Sequence, residues 1–214
     1  MAADLQTARA RWMEITDALQ ASPAAREAVL AEILKAYQCS GRHYHGPSHI
    51  GDLLRLTAEY APFLVDRDAI DLAVFFHDVV YSATRSDNEE ASARRAKKGM
   101  ALLGFPVATV EKVARYVIAT KHGSGTPVPI DGDLAYFLDF DLSILGATRD
   151  AYAAYAAAIR KEYAIYPNMI FRAGRAKVLR SILEQPQIYR TEHGLTRWEA
   201  PARNNMKWEL ERLE

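Results

Sequence analysis

Apolar residues recur along this chain at three- and four-residue spacings, the signature of amphipathic helices. Residues 4–20 carry Leu5, Ala8, Trp12, Ile15 and Leu19 on one stripe. Ser22-Pro23 breaks that pattern and opens a second helix with its stripe at Val29, Leu30, Ile33, Leu34 and Tyr37. A loop over Gly41–Pro47 gathers Arg42, His43, Tyr44 and His45. Ser48 is the expected N-cap of a helix to about Tyr60, because a serine hydroxyl can accept from the first turn's free N–H groups. Asp68 opens the next, whose end, Leu72–Tyr81, is almost wholly apolar around His77 and Asp78. A charged helix is expected over 88–103, stopped by Gly104-Phe105-Pro106, and another over 107–121. Gly123–Pro129 reads as a loop, and helices follow over 131–145, 149–164, 167–184 and 195–213. No segment alternates at period two for long enough to predict a strand, although Val79-Val80-Tyr81 alone is ambiguous. The expectation is one all-α domain over residues 1–214.

Composition narrows the function. Of the 214 residues half are hydrophobic and a quarter charged, which is globular, not disordered. Lys+Arg and Asp+Glu both number 27, so the chain lacks the basic excess of a typical nucleic-acid binder, and none is expected as a partner. The run Arg94, Arg95, Lys97, Lys98 reads as a solvated helix face. The single cysteine, Cys39, forms no intrachain disulfide, which fits a reducing cytosol. The N-terminal segment has no basic stretch followed by an apolar one, so no signal peptide is expected. An uncharged apolar run of about 18 residues, the minimum for a membrane span, is also missing, and the expected location is cytoplasmic.

Candidate chemistry lies in four places: His45 and His49, four residues apart; His77-Asp78; Asp139 and Asp141; and His122. Asp78 stands among Phe and Val, and Asp139 and Asp141 among Tyr136, Phe137, Leu138, Phe140 and Leu142. A carboxylate in such company is costly to bury unless it is paired or binds a metal. Imidazole and carboxylate donors together suit Mn²⁺, Fe²⁺, Zn²⁺, Co²⁺ or Ni²⁺, and Ca²⁺ less readily. An aspartate in an apolar stretch is also commonly a cap or a partner for arginine, and a histidine at a helix end a hydrogen-bonded structural group.

The order His…His-Asp…Asp is more specific than any of its parts. The segments Arg42-His-Tyr-His-Gly-Pro-Ser-His-Ile50, Phe76-His-Asp-Val-Val-Tyr81 with Asn88-Glu89, and Phe137-Leu-Asp-Phe-Asp-Leu-Ser-Ile-Leu-Gly146 carry it. In these the chain resembles the HD superfamily of metal-dependent phosphohydrolases, most nearly a group of small bacterial HD proteins. The resemblance spans about residues 40–185, with helical flanks on both sides. It implies an HD-domain-like helical bundle and hydrolysis of a phosphate ester or anhydride, in a small phosphorylated metabolite or a nucleotide. It also implies a divalent cation (Mn, Fe, Mg, Co, Ni or Zn) on His49, His77, Asp78 and Asp141. Asp141 is preferred to Asp139 for its Asp-Leu-Ser context, with Asp139 left as a cap or outer support. The chain is also similar to cyclic-nucleotide phosphodiesterases, where a Tyr-His precedes a metal-binding histidine by four residues. That likeness makes His45 the group that protonates the leaving oxygen. The phosphodiesterases' second metal motif is missing after His77-Asp78, where Tyr81 and Ser82 stand.

Supporting roles follow from the proposed chemistry, in which cationic groups stabilise phosphoryl charge. Arg42, Lys121, His122 and Arg160 are the candidates, Arg42 foremost because it shares a loop with His45. Glu89 is expected to orient a water molecule or a ligand histidine, or else simply to complement the dipole of the helix it opens. Tyr152, Tyr155, Tyr163, Tyr166 and Phe171 line a base pocket or, as tyrosines at helical spacing more often do, a core. Two rival functions stay open. One is a non-catalytic HD-fold protein that binds a nucleotide and signals. The other is a di-iron HD-type oxygenase, which needs more histidine ligands than His45 and His122 provide.

Overall fold

A computed structural model of the chain describes residues 2–121 and 130–213, and among these every regular element is helical. The all-α expectation therefore holds. The chain forms two compact units, Met1–Phe137 and Leu138–Glu214.

The first unit contains α1 (Ala2–Thr16), α2 (Pro23–Tyr37), α3 (Pro47–Glu59), α4 (Arg67–Phe76), α5 (Asn88–Leu102), α6 (Val107–Ala119) and the start of α7 (Gly132–Asp141). α4 is its axle: every residue from Ala69 to Phe76 is buried. Trp12 of α1 meets the edges of Phe75 and Phe76 at 5.2 and 6.1 Å. Helix α1 stops at Thr16, four residues short of the sequence expectation. The guanidinium of Arg26 takes the carbonyls of Leu19 and Ala21 (2.7 and 3.0 Å), which fixes residues 19–21 as a turn. Helix α2 begins as expected, with the Ser22 hydroxyl accepting from Ala25 N. Helix α3 starts two residues earlier than expected: Gly46 is the N-cap and Pro47 the first helical residue, where proline lacks only an N–H that would have been orphaned. Ser48 is therefore inside the first turn. α1 and α3 approach closely at Gly51, where a Cβ would fall 2.7 Å from the Asp4 side chain. α5 ends at Gly104, whose φ of 80° lets Phe105 N reach back to Met100 O.

A buried ion pair ties α1 to α4. Asp71 is fully buried; Arg11 Nε donates to it at 2.6 Å, Thr57 of α3 donates its hydroxyl, and Arg67 Nε lies at 3.2 Å. Arg11 also pairs with Asp68.

The second unit holds α8 (Arg149–Glu162), α9 (Asn168–Leu183) and a C-terminal run that passes through a π-helical turn (Leu195–Glu199) into the last helix (Ala200–Leu213). Glu209 accepts from Arg175 through both oxygens (2.8 and 3.0 Å) and from the Tyr152 hydroxyl. Tyr152 is fully buried, so in the tyrosine set it is a core residue, as the more common reading of helical tyrosines has it. Phe140 and Tyr189 pack on Trp198. No helix among the described residues is long and apolar enough to cross a membrane.

The Arg11–Asp71 pair generates a test. Replacing Arg11 by Met leaves a buried carboxylate with only Arg67 as a cation, and removing one partner of such a pair costs about 3 kcal/mol. Thermal melts should show this loss for Arg11→Met and recovery of most of it in Arg11→Met/Asp71→Leu; equal melting of wild type and the single variant would refute the account.

Candidate functional site

Helix α4 sets up the site by where it ends. Its last backbone bond runs from His77 N to Ala73 O at 2.8 Å, and Phe76 is its final residue. His77 Nδ1 lies 2.9 Å from Val74 O. A carbonyl can only accept, so Nδ1 carries the proton, and in the neutral ring Nε2 holds a lone pair. That Nε2 stands 3.1 Å from His49 Nε2 and 3.2 Å from Asp78 Oδ2. His49 sits in the first turn of α3 and is, like His77, buried. The three side chains present one donor atom each, all within 4.8 Å of one another, and can hold a metal ion.

The spacing fits a cation. Two nitrogens each about 2.1 Å from one ion and at roughly a right angle stand about 3 Å apart, and 3.1 Å is the distance here. Burial alone would raise the Asp78 carboxyl. When the imidazoles are protonated, the fields of His77, His45 and His49 and a hydrogen bond from the His77 cation outweigh burial and hold the group well below the usual carboxylate range. A positive charge among these groups, proton or metal ion, thus favours the ionised carboxylate of Asp78.

His45 lies at the margin. Its Nε2 is 3.9 Å from Asp78 Oδ2, and its side chain is 20% exposed, against 1% for His77. Its ring is tilted 30° to that of Tyr81 at 4.3 Å. Tyr44 packs against both His45 and His49, each at 4.9 Å. Beneath, Tyr37 accepts from Asp78 N at 3.1 Å, and Phe137 turns its edge to His77. After Tyr81 the chain is tied to α5: Ser92 exchanges hydrogen bonds with Val80 N and O, and Asn88 does the same with Ser82. Sequence reasoning gave no role to Tyr37, Tyr44, Tyr81, Asn88 or Ser92. Tyr37 falls on an apolar stripe, and nothing in sequence separates such a tyrosine from ordinary core.

The other candidates take varied positions. Arg42 directs its guanidinium to backbone carbonyls of His45, Asp78 and Val79. Glu89 is half-buried in the first turn of α5. Lys121 pairs with Glu90 at 2.5 Å, which raises the lysine and lowers the carboxyl. His122 lies outside the described residues. Arg160, in the second unit, donates to Tyr163 O and Tyr166 O at 2.8 and 3.0 Å and covers the Phe171 ring, holding the turn after α8. Asp141 ends α7, also in the second unit, and is half-buried.

Asp139, which lies two residues before Asp141, is fully buried and anchors a turn. Its carboxylate accepts from Arg190 N, Thr191 N and the Thr191 hydroxyl at 2.7–3.1 Å. Gly194 lies so close that a Cβ there would collide with the Asp139 carboxylate. Burial pushes its carboxyl above the ordinary range, against the pull of these donors. The helix cap is Thr191, whose hydroxyl accepts from Gly194 N, and Asp139 holds the turn that leads into it.

No family model matches the chain, and neither curated proteins nor solved structures provide a match.

Asp139→Ala should cost about 1–3 kcal/mol, the price of stranding partly buried donors, and leave the metal content unchanged. Metal analysis and a thermal melt on the same sample check both. Loss of metal with an unchanged melt would make Asp139 a ligand.

Proposed function

We propose that the chain is a metal-dependent phosphohydrolase of the HD type, with its cation held by His49, His77 and Asp78. One observation carries the reading: the Val74 carbonyl orients His77 so that a buried lone pair faces a second imidazole and a carboxylate. Such backbone anchoring of the far ring nitrogen is the usual support of a metal-binding histidine. A divalent cation supplies stabilisation of phosphoryl charge and lowers the pKa of a water molecule. Two imidazoles and a carboxylate favour Mn, Fe, Co, Ni or Zn.

The chain's own groups do the rest. Asp78 stays ionised and offsets the positive charge. His45, partly exposed and next to Asp78, is suited to hand a proton to the leaving oxygen of a phosphate ester or anhydride. The family assignment rests on the order His…His-Asp…Asp, and so does Asp141 as fourth ligand. Glu89, Lys121, His122 and Arg160 as helpers rest on sequence alone.

Metal analysis after loading with Mn²⁺ or Co²⁺ tests the centre. Wild type should retain about one ion per chain, and His77→Ala should lose it together with any phosphatase activity, since ligand loss removes binding and chemistry jointly. Asp141→Ala should do the same. A wild type that takes up no metal and hydrolyses no phosphorylated metabolite in a screen would end the proposal. Removal of metal from Asp141→Ala is the expected result; full retention would leave three protein ligands.

His45→Ala should keep the metal and lose roughly 10²–10⁴-fold in kcat on esters with poor leaving groups. Nitrophenyl esters, which need little protonation, should lose much less. Equal losses on both would remove the acid role, and a metal-free variant would make His45 a ligand.

A further inference from the structure

Arg42 was expected to face a phosphoryl group, yet its guanidinium turns inward. Nη1 donates to Asp78 O at 2.6 Å and to His45 O at 3.3 Å, and Nη2 donates to Val79 O at 3.3 Å. Its carbon lies 5.0 Å from the Tyr37 ring centre and 5.5 Å from that of Tyr81. All three acceptors are backbone carbonyls. They belong to two segments about 35 residues apart: the loop that bears His45, and the turn after α4 that bears Asp78. The same two aromatic walls serve the site directly. Tyr37 accepts from Asp78 N, and the Tyr81 ring lies against the His45 imidazole at 4.3 Å.

We infer that Arg42 is a positioning residue, which, with Tyr81 as the second wall, fixes the His45 imidazole beside Asp78. The inference rests on the phosphohydrolase reading for its catalytic consequence, though not for its geometry. The reason is the shape of the guanidinium. It is a flat fork with five donors, able to bond several carbonyls in one plane while lying between rings. A lysine ammonium is a compact charge and cannot reproduce that pattern. Without the fork, the loop carrying His45 loses its link to the Asp78–Val79 backbone, and the imidazole loses its fixed distance to the site. A proton donor displaced by about 1 Å loses on the order of 10²-fold in rate. The metal donors keep other bonds when the fork is lost: His77 that to Val74 O, His49 its place in helix α3, and Asp78 the bond from its N–H to the Tyr37 hydroxyl.

Arg42→Lys therefore separates position from charge. The metal content should match wild type, and KM should stay within about twofold, because the cation touches no substrate and uniform binding is intact. On a poor leaving group kcat should fall about 10–100-fold, and on nitrophenyl phosphate less than about threefold, since only the former needs the proton. Tyr81→Ala should show the same selective loss, and Tyr81→Phe, which keeps the ring, should recover most of it. A readout independent of turnover is the long-range ¹H–¹⁵N spectrum of the imidazoles, with His45 assigned through His45→Asn. In Arg42→Lys the His45 signals should shift or broaden while the Nδ1–H of His77 stays in place. If wild type proves to have no metal-dependent activity, this spectrum still decides the positioning role. An unmoved His45 spectrum overturns the inference. So does a raised KM with equal losses on both leaving groups, which would make Arg42 a phosphate contact, and so does loss of metal from Arg42→Lys. Should Arg42→Lys fail to fold, the Tyr81→Ala and Tyr81→Phe pair decides by the same two readouts.

Discussion

The bond from His77 Nδ1 to the Val74 carbonyl is the constraint on which the site depends. It fixes the tautomer, and with it which nitrogen faces the cluster. It also fixes the ring's rotation, because the acceptor belongs to the rigid, fully buried α4. A histidine one residue earlier would lie inside the helix, and one residue later it would belong to the turn. Only at the helix end can the imidazole fold back onto its own last turn while the next residue, Asp78, swings free of the helix to meet it. The core therefore determines the site geometry: Trp12 against Phe75 and Phe76, and Arg11 against Asp71, hold α4 where His77 reaches His49.

Around that fixed ring the protein builds in layers of decreasing burial. His77 and His49 are buried, Asp78 is partly open, and His45 is the most exposed of the four. A metal site needs dry, oriented donors, and a proton-transfer group needs access to the leaving atom. The gradient gives each group the environment its proposed role requires. The aromatic residues Tyr37, Tyr44, Tyr81 and Phe137 set the orientation of the imidazoles by ring contact while adding no competing charge.

Much of this was legible in the sequence. Periodicity located the helices, because each buries a stripe of its own. Ser22 began one element and Gly104 ended another by local bonding, so local chemistry revealed them. Boundaries set by the direction of a side chain were not legible: α1 stops where Arg26 captures the carbonyls of Leu19 and Ala21, and periodicity does not tell which way a guanidinium points. The histidines and Asp78 were legible as donors. Arg42 was legible as a cation near His45, but its direction was not, since three acceptors on two separate segments decide it.

The aspartates make the point most clearly. Asp71, Asp78 and Asp139 each stand in an apolar stretch and present the same signal: a charge whose burial must be offset. The protein offsets it in three ways. Asp71 meets guanidinium groups and a hydroxyl, which locks two helices together. Asp139 meets backbone N–H groups, which shapes a turn, and burial keeps its carboxyl easier to protonate than usual. Asp78 meets imidazoles, which are cations only when protonated and are otherwise lone-pair donors. The first two solutions are complete in themselves: every charge has a permanent partner or a set of oriented donors. The third is not, because neutral imidazoles leave the carboxylate's charge uncompensated. A site that gathers a carboxylate and two imidazole nitrogens within 4.8 Å calls for a proton or a cation among them. That difference in partners, invisible in the three sequence contexts, is the physical reason to read function into Asp78 and structure into the other two.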